Sequence, residues 1–106
     1  MSERRIQYRV HKASVGWYYV LDGVDATSEG LASGFDISRS GIGIVTVRML
    51  PIDIRILFHM RTRGEQITGI MRVMRCRNVR IDEWEVGLRI EVLPPDQREL
   101  IRRWTT

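Results

Sequence analysis

The stretch "FDISRSGIGI" at residues 35–44 carries an acid, a hydroxyl and a glycine at Asp36, Ser38 and Gly41 before it turns apolar. Residues two apart on an extended chain point the same way. A carboxylate beside a hydroxyl can accept from N–H donors and donate once, which suits the N1–H and N2–H₂ edge of a guanine. Gly41, without a Cβ, lets backbone pass close to a ligand. The same residues also read as a simple turn in which Asp36 and Ser38 bond their own backbone.

A second set lies in "RRIQYR" at residues 4–9. Arg5 and Arg9 stand four apart, and two guanidinium forks at that spacing can grip a phosphate and the O6/N7 edge of a guanine. Alone the pair is weak, because sixteen arginines produce on the order of two such spacings by chance. Arg98 and Arg102 repeat the spacing inside a predicted helix and read as a solvated face.

These residues need elements to hold them. Residues 1–13 set Arg4, Arg5, Arg9, His11 and Lys12 against one acid, Glu3, with few apolar residues to anchor them. They predict a basic arm, mobile without ligand. Residues 14–93 alternate as a sheet would. "GWYYVL" at 16–21 and "GIGIVTV" at 41–47 predict strands. Residues 21–34, with their Asp, Gly and Ser, predict a long loop. Ile52, Ile54, Ile56, Phe58 and Met60 take every second position, the mark of a half-buried strand. Gly64 predicts a hairpin, the run 67–77 a further strand, and "VRIDEW" at 79–84 a second loop. Trp84, Val86, Leu88, Ile90 and Val92 alternate once more. Residues 94–106 then change period. Pro95 suits a first helical position, Arg102 and Arg103 suit the last turn, and Leu100, Ile101 and Trp104 share a face.

The chain has 106 residues, net charge +4, 43% hydrophobic and 28% charged residues, which fits one soluble domain with one core. Sixteen of its seventeen basic residues are arginine, which favours an anionic partner where the forks are not merely solvated. Cys76 stands alone, so there is no disulfide framework or cysteine metal cluster, and it reads as a small buried hydrophobe. Met49, Met71 and Met74 read as core fillers. Asp82, Glu83 and Glu85 read as a solvated acidic loop without a histidine or cysteine at metal spacing. Nothing predicts catalysis, a metal or a cofactor. No signal peptide or membrane span is visible, and the default expectation is the cytoplasm.

Taken in order, "RRIQYR", "DISRSG" and "EVGLRIEVL" before a terminal helix resemble the PilZ domain over nearly the whole chain. The resemblance implies an all-β fold, a six-stranded antiparallel barrel with a C-terminal helix. It also implies a bacterial, non-enzymatic receptor for the second messenger cyclic di-GMP that relays the signal to a downstream protein of motility, pilus, polysaccharide or transcription machinery. Carried over by position, it makes Arg5 and Arg9 guanine and phosphate ligands, with Arg4 beside them. Asp36 and Ser38 become guanine-edge contacts, Gly41 the close-approach position, and Arg75 a residue that stacks on a base. Arg4 further implies a stacked pair of ligands. Two alternatives remain open: a PilZ-type adaptor without nucleotide binding, and a small basic barrel for RNA or DNA.

Overall fold

Inward positions on six strands set the architecture. Tyr18, Ile37, Ile42, Ile44, Ile56, Phe58, Met60, Ile67, Met71, Val73, Val86 and Leu88 are all buried. They alternate with more exposed neighbours, so each strand turns one face to a shared interior. The computed structural model describes residues 8–10, 15–23, 25–37, 41–62 and 64–104.

The elements are β1 (Tyr8–Val10), β2 (Val15–Asp22), β3 (Asp25–Ile37), β4 (Gly41–Thr46), β5 (Arg55–Thr62), β6 (Glu65–Arg80), β7 (Glu83–Val92) and α1 (Pro95–Trp104). The strand order is β1-β3-β2-β5-β6-β7-β4, with β3 also pairing β4. That last pairing closes β2 to β7 into a six-stranded antiparallel barrel, as expected from the sequence. β1 is extra. Its three residues pair with Phe35, Asp36 and Ile37 of β3, so the end of the arm is joined to the barrel through backbone. Residues 1–7 and 11–14 lie outside the described residues.

Helix α1 begins at Pro95 and sends Leu100 and Ile101 into the core, with Trp104 packed against it. The side-chain oxygen of Gln97 accepts from the backbone N–H of Thr68 at 2.7 Å and fastens the helix to β6. Arg98 and Arg102 are exposed, as a solvated face requires.

Several expectations are corrected. The long loop at residues 21–34 is largely strand: β2 and β3 pair from Gly16–Ala32 to Asp22–Asp25 across a tight turn at Gly23. β3 is mostly exposed, so it lacks the apolar alternation that marks its neighbours. The loop "VRIDEW" is mostly strand as well, with only Ile81 and Asp82 turning between β6 and β7. β5 starts at Arg55, because Asp53 adopts φ 77 and the chain bends there, leaving Ile52 exposed. That bend is pinned by backbone bonds, Asp53 N–H to Val73 C=O and Val73 N–H to Ile54 C=O. Arg72 reinforces it by donating to Asp53 and to Glu91. Of the three methionines, Met71 is core, but Met49 and Met74 are exposed. Met74 follows the buried Val73 and so takes the outward position of the alternation, and the register slip between Val73 and Arg75, a bulge, leaves Arg75 outward as well.

On the outer wall the ring of Trp17 lies 4.3 Å from that of His59, and His59 Nδ1 meets the Thr68 hydroxyl. Burial first, and the charge of Arg61 second, push the His59 pKa below its ordinary 6.5. The unfolded chain therefore binds this proton more readily than the folded one. The neutral ring's contribution to stability is complete above about pH 6.5 and is lost as pH falls through the lower folded value. Urea midpoints of the unmodified protein should fall between pH 7.5 and pH 5, and His59→Phe should shrink that fall. An equal fall in both would show that the ring does not govern it.

Candidate functional site

The strand registers draw one continuous row across the outside of the barrel. Position 9 of β1 pairs with Asp36 of β3, Asp36 with Gly43 of β4, Gly43 with Gly87 of β7, and Gly87 with Arg75 of β6. Neighbouring strands lie about 4.8 Å apart, so the row from Asp36 to Arg75 is roughly 14 Å long. Gly43 lies between the buried Ile42 and Ile44, and Gly87 between the buried Val86 and Leu88. Alternation therefore turns both glycines outward.

A groove of about 380 Å³ follows this row. Its floor is Gly43 and Gly87, which offer backbone without a side chain. Asp36, half-buried, stands at one wall and Arg75, exposed, at the other. A Cβ on Gly87 would come within 2.6 Å of Arg75 Nε and 3.0 Å of its Cγ, so the arginine side chain lies down across this glycine. A Cβ on Gly43 would be 3.7 Å from that of Asp36, an ordinary contact. One step along the strands lie Val45, Glu85 and Arg77. Arg77 is ion-paired to Glu85, its partner in register.

The surface is flat in the middle, with hydrogen-bond acceptors at one end and guanidinium donors at the other. Such a groove can take a planar, anionic group: the ring lies over Gly43 and against the Arg75 side chain that covers Gly87, a donor edge meets the carboxylate, and negative charge meets the arginines. Asp82, Glu83 and Glu85 do not form a metal set. Glu83 pairs with Arg80 and Glu85 with Arg77, and among the described residues no three His, Cys, Asp or Glu groups converge to hold a cation.

Asp36 and Arg75 thus share one groove, and the backbone of Arg9 is in register with Asp36. Gly41 begins β4 and is buried. A Cβ there would sit 1.9 Å from the Leu88 carbonyl oxygen, so the close approach at Gly41 is to the chain's own β7. Arg4, Arg5 and Ser38 lie outside the described residues. The glycine floor, Arg77 and Glu85 were not foreseen. The usable signal was a glycine at an outward position inside two well-patterned strands, which marks close approach of another group.

A six-stranded barrel with a closing helix and an external groove defines a small binding domain. The PilZ domain model matches residues 3–106, and the chain belongs to that family. Searches of curated proteins and of solved structures found no match. PilZ domains belong to a cyclic di-GMP receptor family and act as ligand-binding and adaptor domains rather than as enzymes. Among the described residues, no helix is long and apolar enough to cross a membrane.

Proposed function

We propose that the protein is a cyclic di-GMP receptor whose ligand lies between the "RRIQYR" arm and the "DISRSG" turn, over the groove of Gly43 and Gly87. The observation that carries this is the register of Arg9 with Asp36. It brings the two motifs, separated by 26 residues of sequence, to adjacent positions on neighbouring strands. Arg5 and Arg9 grip phosphate and the guanine O6/N7 edge, and Asp36 and Ser38 read the N1–H and N2–H₂ edge. Arg75 stacks on a base, and Arg4 adds charge for a second, intercalated ligand. Binding across the arm and the turn creates a new surface, which a downstream protein reads.

Calorimetric titration tests this. Cyclic di-GMP should bind, with a ligand-to-protein ratio near two that Arg4→Ala lowers toward one, whereas cyclic di-AMP and linear dinucleotide should bind far more weakly. Absence of heat with cyclic di-GMP would make the adaptor reading correct. Equal affinity for any polyanion, with a steep salt slope, would point to nucleic acid.

A further inference from the structure

The arginines of the groove's far wall are not equivalent. Arg75 and Arg77 lie two apart on β6, roughly 7 Å along the strand, and both line the groove. The residue opposite each on β7 differs. Opposite Arg75 is Gly87, and opposite Arg77 is Glu85. Arg75 has no hydrogen-bond or ion-pair partner among the described residues, while Arg77 donates to the Glu85 carboxylate.

We infer that the Arg77–Glu85 pair is a charge latch on this groove, with Arg77 a further phosphate ligand that Glu85 withholds until an anion competes for it. The latch is weak enough to open. Its side chains are 75% and 50% exposed, and an ion pair so exposed shifts an equilibrium by roughly fivefold at most. A phosphate offers the same guanidinium a bidentate, charge-assisted partner and can displace the carboxylate. Exchange requires only side-chain rotation, because Arg77 and Glu85 already stand beside Arg75 on one surface. Glu85 therefore sets the affinity of the wall without touching the ligand. It keeps one of the two arginines neutralised and raises the threshold for any anion.

The inference rests on the proposed cyclic di-GMP site, so its test separates the two. Cyclic di-GMP is titrated into the unmodified protein, Glu85→Gln, Arg77→Ala and the double variant at low salt. Unfolding midpoints are recorded alongside to show that each is folded. Glu85→Gln should bind about threefold to fivefold tighter, and Arg77→Ala about tenfold weaker. The double variant should match Arg77→Ala, because Glu85 acts through Arg77. Binding seen only after Glu85→Gln would also support the latch. Binding by the unmodified protein with no gain in Glu85→Gln overturns the latch and leaves the receptor standing. The same gain in both backgrounds overturns it too, since that is bulk repulsion by a carboxylate. Absence of binding in the unmodified protein and in Glu85→Gln overturns both.

Discussion

Arg9→Ala should weaken cyclic di-GMP binding by about tenfold to hundredfold, and Arg5→Ala should do the same, while Arg98→Ala should leave it unchanged. A bidentate arginine contact to a guanine edge contributes roughly 1–3 kcal/mol, which is that range of affinity. Arg9 is the sharper case, because its backbone is paired to Asp36 across β1 and β3. Position 9 of the backbone is thus held next to Asp36, the residue proposed to read the guanine edge. Arg98 is an exposed helical residue, and its removal takes the same charge from the protein at a distance from the groove. Calorimetry on the three variants at one salt concentration decides the matter. If all three lose affinity equally, bulk charge drives binding and the site is wrong.

Gly41→Ala should lower the thermal midpoint by at least about 10 °C, and Gly43→Ala by far less. The two glycines are two residues apart on one short strand, yet their surroundings are opposite. At Gly41 the new methyl would fall 1.9 Å from the Leu88 carbonyl oxygen, a backbone atom held in the β4–β7 ladder. Relief requires the strands to part, so the upper end of the usual overpacking cost applies, roughly 3 kcal/mol. A domain of about this size loses on the order of 4–8 °C per kcal/mol. At Gly43 the methyl would meet only Asp36, its Cβ at 3.7 Å and its carbonyl oxygen at 3.9 Å, both ordinary contacts. It would stand on the floor of the groove, so its effect should appear in ligand affinity. Thermal scans without ligand give the comparison, and equal midpoints for the two variants would contradict the packing account.

How much of this was legible depended on how one-sided each strand is. β7 and the helix were readable because Val86 and Leu88, and then Leu100 and Ile101, face the core at the period of their element. β3 was hidden for the opposite reason. Its residues 25–31 are nearly all exposed, and backbone pairing to β2 and β4 holds it in place of apolar burial. Gly30, which reads as a loop residue, leaves room for Tyr18, whose hydroxyl lies 2.4 Å from where a Cβ would be. At Ile52 the period of two persisted past the point where Asp53 bends the chain. The motif residues were visible by type, but the groove was not. It is made by registers between β3, β4, β7 and β6, and no spacing along the chain encodes which glycine ends up opposite which arginine.

The order of strands around the barrel also divides the chain into halves. β2, β3 and β4 form one run of sequence neighbours and β5, β6 and β7 another, and the ring closes where β2 meets β5 and where β4 meets β7. The Gly43–Gly87 pair sits on the second of these seams. A molecule bound between Asp36 and Arg75 therefore spans both halves and acts as a non-covalent cross-link between parts of the chain that are distant in sequence. At a ligand concentration a hundred times its dissociation constant, such a link stabilises the folded state by about 2.7 kcal/mol. The protection would fall on amides of β4 and β7 that exchange by opening of this seam, so that occupancy of the groove would be recorded in the cohesion of the barrel itself.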